Sequence, residues 1–172
     1  YACAQILKHV DSILPMISDC FVYEPENYIS RFGVISFINC GNLVSNILIA
    51  KFISTNDFIK NILCFIALFN SVCFGFVGAI SELDNLFIHN VFALSGYISY
   101  AVFLAIIRVS SIEYHKNILS LPYIVVLMFK MVNGSVTLKP FIEWSLTLLY
   151  SFNMYKFGSF MESEYIVVNS FV

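Results

Sequence analysis

The fold is decided by residues 60–80, which read KNILCFIALFNSVCFGFVGAI. After the lysine that opens this stretch, the polar side chains are Asn61, Asn70 and Ser71. The hydrocarbon core of a bilayer is about 30 Å thick, and a helix needs about 20 mainly apolar residues to cross it. The stretch therefore predicts a transmembrane helix.

Similar segments recur on both sides of this one. Three more have the length and apolar character of a span, at residues 31–53, 87–109 and 140–160. A further segment, residues 117–132, is shorter and contains Pro122 and Lys130, so it crosses only if the bilayer thins or the lysine reaches the interface. Residues 1–7 are apolar and run into Lys8, as the end of an earlier span would. We expect an all-α, polytopic transmembrane helical bundle with five spans plus the end of a sixth, N-terminal span.

Composition supports a single membrane domain over residues 1–172. The chain is 59% hydrophobic and 12% charged, with a mean hydropathy of +0.84, whereas soluble domains are about 45–50% apolar and about 25% charged. Its net charge of -2 gives no electrostatic basis for binding nucleic acid. Membrane lipids are the partners that this composition predicts.

The connections between spans predict an orientation. Basic residues flank alternate connections, with Lys51 and Lys60 around one of them and Arg108 and Lys116 around another. The positive-inside rule places these connections in the cytosol, although the excess of basic residues is small. Residues 8–30 then form a lumenal or extracellular loop, and residues 161–172 form a cytosolic tail.

Asparagines mark one face of the predicted span 31–53. Asn39, Asn42 and Asn46 are spaced by three and four residues, which places them on one side of a helix. An amide facing lipid is costly, so this face is expected to point into the bundle. One interpretation is a seam of hydrogen bonds between helices, which we favour. The other is a polar pathway through the bundle.

Ionisable residues gather at the predicted lumenal end. His89 opens one span and Glu143 opens another, at the end of the bundle where the loop lies. One hypothesis is that ion pairs fasten the loop to the helix ends; the alternative is recognition of a lipid headgroup or a protonation switch. We call this set the rim cluster, and its members are Asp19, Glu26, Arg31, His89, Glu143 and Trp144.

Catalytic and metal-binding patterns are absent from the sequence. It has no G-x-S-x-G, H-E-x-x-H or C-x-x-C motif and no phosphate-binding glycine loop. The predicted topology separates His115 from His9 and His89 by the bilayer, which argues against a shared metal site. We therefore predict no catalytic residue, no metal and no cofactor. The cysteines within spans are expected to pack as apolar residues without an intramolecular disulfide.

Three short motifs resemble a known family. Residues 14–20 read LPMISDC and are followed by Pro25 and Glu26, which is similar to the L-P-x-I-S-D…P-E lumenal signature of the damage-regulated autophagy modulator (DRAM) family, within the Frag/DRAM/Sfk group. Residues 142–145, IEWS, resemble the A-E-W-S of that family, with isoleucine in place of alanine. Residues 87–89, FIH, resemble its histidine that opens a helix. We call residues 14–26 the signature loop.

The resemblance implies a six-span membrane protein with a lumenal signature loop. It also implies a non-enzymatic role in promoting autophagy at lysosomal or other endomembranes, with protein partners in autophagy. Alternatives from the wider group are a plasma-membrane scaffold for a phosphoinositide kinase, with partners in phosphoinositide signalling, and a factor that remodels the lipid of GPI anchors. The asparagine face keeps a small-solute transporter as a further alternative.

Overall fold

The described part of the chain is all-helical, as the sequence predicts. The computed structural model describes residues 6–9, 16–53, 56–110, 125–126, 129–130, 133 and 138–169, and no strand occurs among them. After a short 3₁₀ helix at Ser18–Phe21 come helix α1 at Glu26–Phe32, a π-helical segment at Gly33–Asn39, helix α2 at Cys40–Ile53, helix α3 at Asp57–Ala79, helix α4 at Glu82–Ser110 and helix α5 at Lys139–Asn169.

Three helical stretches of the described residues are long and apolar enough to cross a membrane. They are Glu26–Lys51, which combines α1, the π segment and most of α2, then Asp57–Ala79 and Glu82–Ser110. The predicted span 140–160 lies within α5. The predicted span 117–132 and the end of an earlier span at 1–7 fall mostly outside the described residues. The protein is thus an integral membrane protein with a helical transmembrane bundle.

Helix boundaries differ from the predicted ones by a few residues. Helix α4 begins at Glu82 with a short turn that Ser81 and Asp84 cap reciprocally: the Ser81 amide donates to Asp84 Oδ2 over 2.9 Å and the Asp84 amide to Ser81 Oγ over 3.3 Å. The backbone is non-helical at Asn85, and the continuous part of α4 starts after it, where Asn85 Oδ1 accepts from the Ile88 amide over 3.0 Å. Helix α1 begins at Glu26, inside the segment predicted as the 8–30 loop. Helix α5 continues to Asn169, so most of the predicted tail 161–172 is helical.

Helices α3, α4 and α5 pack around one another. The α3–α4 pair is antiparallel, since Phe76 stacks on Phe92 at 4.4 Å between ring centroids while Asn70 reaches Ser99. Helix α5 runs parallel to α4, because Tyr97 meets Thr147 and Tyr100 meets Tyr150. The first turns of α4 and α5 therefore lie at the same end of the bundle, which we call the loop end. The buried core includes Ile49, Ala50, Leu63, Ala67, Phe103, Leu104, Ile107 and Leu146.

Two glycines of α3 allow the π segment to approach closely. A Cβ at Gly78 would lie 3.1 Å from Val34 Cγ1 and from Ile35 Cγ1, and a Cβ at Gly75 would lie 3.2 Å from Asn39 Nδ2. Such distances are shorter than ordinary van der Waals contacts. Small residues at these two positions are therefore what brings α3 and the π segment together.

Candidate functional site at the loop end

The signature loop is shaped by Asp19. Its Oδ2 accepts a hydrogen bond from the Met16 amide over 3.0 Å, and the Cys20 amide donates to the Ile17 carbonyl over 3.2 Å. These local bonds turn the chain into the 3₁₀ helix that begins at Ser18. Asp19 therefore fixes the conformation of the loop.

Glu143 connects this loop to helix α5 through a hydrogen bond. Its Oε2 accepts a hydrogen bond of 2.9 Å from the Ile17 amide, which lies 126 residues earlier in the chain. Glu143 is the fifth residue of α5, so it lies just beyond the first turn, in which the sequence had placed it. Trp144 follows it, is half-buried and is engaged with a neighbour. The contact between Glu143 and Ile17 brings two of the sequence motifs together.

A second fastening joins the start of the described chain to α1. Glu26 is buried, with 6% of its surface exposed, and its Oε1 lies 2.9 Å from His9 Nδ1. The His9 ring also packs against Tyr23, with 5.1 Å between centroids. From the sequence, His9 was weighed only as a metal ligand, and its pairing with Glu26 was not predicted.

A third fastening joins α1 to α4. Arg31 Nη2 lies 2.7 Å from Asp84 Oδ2, and the same carboxylate oxygen accepts from the Ser81 hydroxyl over 2.8 Å. Asp84 thus both caps α4 and pairs with Arg31. It was absent from the predicted rim cluster, although its position in an S-x-x-D capping pattern was readable from the sequence.

His89 holds the turn between α3 and α4. Its Nδ1 lies 2.7 Å from the Ile80 carbonyl oxygen, and since a carbonyl can only accept, the proton is assigned to Nδ1. Its Nε2 lies 3.8 Å from Glu82 Oε1. His89 is 5% exposed. The partners of His89 therefore belong to the turn, whereas the partner of Glu143 belongs to the loop.

The rim cluster is thus a set of separate hydrogen bonds and ion pairs at one end of the bundle. Each of its four ion-pairing or loop-holding members, Glu26, Arg31, His89 and Glu143, has its own partner, and Asp19 bonds within the loop. The small pocket at this end has a volume of about 10 Å³. Among the described residues, no group of three or more His, Cys, Asp or Glu side chains could hold a metal ion.

Cys20 is buried within the signature loop. It is 4% exposed, and its Sγ donates to the Met16 carbonyl over 3.5 Å. Burial raises the pKa of the Cys20 thiol, and the nearby carboxylates of Asp19 and Glu143 act in the same direction. Cys20 is a free cysteine, and the raised pKa keeps it a protonated packing residue at neutral pH.

A second polar set lies inside the bundle. Asn70 Nδ2 donates to the Gly96 carbonyl over 2.7 Å and to Ser99 Oγ over 3.0 Å, and Tyr150 donates to Asn70 Oδ1 over 3.3 Å. Asn46 is buried close to Tyr150, and its Oδ1 has no hydrogen-bond partner among the described residues. We call Asn46, Asn70, Ser99 and Tyr150 the interior network.

The three asparagines of the predicted face do not share one environment. Asn46 is 1% exposed and belongs to the interior network. Asn39 lies against Gly75, beside the π segment, and Asn42 is half-buried. Asn70, which connects three helices, was missed because a single asparagine has no spacing pattern to reveal it.

Comparison with known proteins identifies the family. The model of the Frag1/DRAM/Sfk1/Cwh43P N-terminal domain matches residues 1–138. The chain belongs to this family. The match includes the signature loop, α3 and α4, whereas Glu143 and its helix follow it. No curated protein and no solved structure matches the chain. As a member of the Frag1/DRAM family, the protein is an integral membrane protein in contact with lipid.

Proposed function

We propose that this Frag1/DRAM family protein is a non-enzymatic, multi-pass protein of lysosomal or other endomembranes that modulates autophagy. The observation that carries the proposal is the hydrogen bond between Glu143 and the Ile17 amide. It ties together the two motifs that resemble the autophagy modulators, the signature loop and the residues 142–145. The proposal therefore rests on the conformation of the signature loop and not on a catalytic group.

The way in which the carboxylates are used supports a non-enzymatic role. A general acid or base must reach a substrate, within hydrogen-bond distance of the reacting atom. Here Glu143 holds a backbone amide, Glu26 meets His9 and Asp84 meets Arg31 and Ser81. A pocket of about 10 Å³ at this end is smaller than a lipid headgroup. These carboxylates hold segments of the chain together through hydrogen bonds and ion pairs.

Exposed aromatic residues support the placement of the loop end near a membrane interface. Tyr23 and Tyr28 are 48% and 62% exposed at this end of the bundle. Tyrosine and tryptophan concentrate at the level of lipid headgroups, where the ring finds apolar and the hydroxyl or indole N–H finds polar surroundings. Such a belt would hold the signature loop close to the lumenal membrane surface and available to a protein partner.

The experiment combines cellular location with autophagic flux. Cells that lack the protein receive tagged wild type, Glu143→Ala or the control Asp57→Ala, since Asp57 is a 91% exposed carboxylate outside the signature loop. We expect endomembrane location, reduced flux without the protein, and rescue by wild type and Asp57→Ala but not by Glu143→Ala. Plasma-membrane location with unchanged flux would contradict the proposal. A changed GPI-anchor lipid composition in the same cells would instead favour the lipid-remodelling alternative.

A further inference from the structure

A small pocket with a mainly apolar lining and a few polar side chains lies where the signature loop, α1 and the α3–α4 turn meet. Its polar lining comes from Ser18, Ser30, Arg31, Ser81 and His89, and its remaining walls come from the π segment and the end of α3. Its volume is about 10 Å³. The pocket therefore brings four separate parts of the chain to one point.

Two polar atoms of this pocket have no protein partner among the described residues. They are Ser18 Oγ and Arg31 Nε, both buried. Ser18 as a whole is only 5% exposed. Buried polar atoms in native proteins are nearly always hydrogen-bonded, either to protein or to ordered water. One shared hydrogen-bond partner would satisfy both Ser18 Oγ and Arg31 Nε.

The other polar side chains of the pocket are already engaged. The Ser30 hydroxyl donates to the Glu26 carbonyl over 2.6 Å, and the Ser81 hydroxyl donates to Asp84 Oδ2 over 2.8 Å. His89 Nδ1 is used by the Ile80 carbonyl. Ser18 and Arg31 are thus the pocket residues that carry a buried polar atom without a partner among the described residues.

We propose that this pocket binds a single water molecule, which bridges Ser18 Oγ and Arg31 Nε. A buried water needs about 10–15 Å³ and at least two polar partners, and the pocket meets both conditions. The Arg31 Nε–H donates to the water oxygen, and the water exchanges a second hydrogen bond with the Ser18 hydroxyl. This site does not depend on the cellular role proposed above.

Charge and size both favour water over an ion or a larger ligand. The Arg31 guanidinium is already paired with Asp84 at 2.7 Å, and the Glu82 carboxylate lies 3.8 Å from His89 Nε2. These carboxylates oppose an anion, whereas the guanidinium opposes a cation. A phosphate group exceeds the volume of the pocket.

The water gives the signature loop a second attachment beside the first. Ser18 directly follows Ile17, whose amide is held by Glu143 on α5. The bridge from Ser18 to Arg31 attaches the same turn of the loop to α1. Two consecutive residues of the loop are thus fastened to two different helices, one directly and one through water.

The test is a crystal structure of the full chain in a lipid phase, at a resolution that shows ordered water. We expect a density peak within hydrogen-bond distance of both Ser18 Oγ and Arg31 Nε. Arg31→Lys keeps a positive charge for Asp84 but removes Nε, and Ser18→Ala removes the hydroxyl, so each variant should lose the peak. Ser30→Ala is the matched control, since its hydroxyl faces the same pocket but is already bonded, and it should keep the peak.

Three outcomes would overturn the proposal. They are the absence of a peak in the wild-type structure, an anomalous signal at the site after bromide replaces chloride, and a peak that persists in both Arg31→Lys and Ser18→Ala. The wild-type measurement decides the question alone if either variant fails to fold.

Discussion

The loop end and the interior network bury polar groups by different chemistry. At the loop end, carboxylates meet an arginine, a histidine and a backbone amide. In the interior network the members are amides and hydroxyls, and each bond joins neutral groups. Charges are costly at membrane depth, whereas neutral groups that satisfy each other are tolerated there. Charged side chains therefore occur at the end of the bundle, and neutral polar side chains occur in its interior.

The two regions also differ in what they connect. Asn70 joins α3 to α4 and α5 within the core, so its loss affects the packing of whole helices. Glu143 joins a loop to a helix end, so its loss releases a segment and leaves the core in place. Global stability should respond to the interior network, and loop mobility should respond to the loop end.

The largest effect is expected for Asn70→Ala. It removes bonds to Gly96, Ser99 and Tyr150, each of which contributes about 0.6–1.7 kcal/mol between membrane helices, so unfolding should become easier by roughly 2–4 kcal/mol. The measurement is an unfolding titration of purified protein in mixed micelles. Asn61→Ala, on the same helix but exposed, is the control and should change little. Equal stability of the two variants would remove the interior network as a determinant of the fold.

Glu143→Ala should have a smaller effect on global unfolding and a distinct local one. The Ile17 amide loses its acceptor, and leaving such a donor without a partner costs about 1–3 kcal/mol. We expect cleavage within residues 16–25 by added protease to become faster, while the helices stay protected. Glu24→Ala should be cleaved like wild type. If Asn70→Ala accelerated cleavage of the loop as much as Glu143→Ala, the loop end and the interior network would not act independently.

Gly78→Ala tests the close approach between α3 and the π segment. The added Cβ would lie 3.1 Å from Val34 and Ile35, and overpacking of this kind costs about 1–3 kcal/mol. We expect a lower midpoint in a thermal unfolding assay. Gly41→Ala is the control, because nothing lies within 4 Å of a Cβ there, and its greater helix propensity should leave stability unchanged or slightly increased. Matching midpoints for the two variants would contradict the close approach.

The smallest effect is expected for Asp84→Asn. This change keeps an oxygen that can accept from Ser81 but removes the charge facing Arg31. Asp84 is 55% exposed, and such exposed pairs contribute less than about 1 kcal/mol. Salt should reduce the difference between the variant and wild type in thermal unfolding. A loss as large as that of Asn70→Ala would show that this pair is not a surface interaction.

The fold class was predictable because a bilayer imposes a length and a composition on every span. Residues 57–79 form a helix close to the predicted 60–80, and the difference comes from Asn56, whose side chain accepts from the Phe58 amide and starts the helix earlier. Caps are local polar contacts, so a count of apolar residues does not locate them.

The loop-end contacts were only partly predictable. The predicted rim cluster included Glu26, Arg31, His89 and Glu143, but it omitted Asp84 and did not indicate the partners of its members. Arg31 pairs with Asp84, 53 residues away, and Glu143 holds a backbone amide, which no side-chain pattern can reveal. Partner choice at this distance depends on how the helices pack.

The contact between Glu143 and Ile17 has a consequence for biosynthesis. Ile17 precedes Glu143 by 126 residues, so the ribosome has to synthesise that whole stretch before the bond can form. Until α5 is made, the signature loop lacks its hydrogen bond to Glu143. A chain that stops before α5 would leave this loop open to chaperones and proteases. Closure of the loop would thus report that α5 has been made.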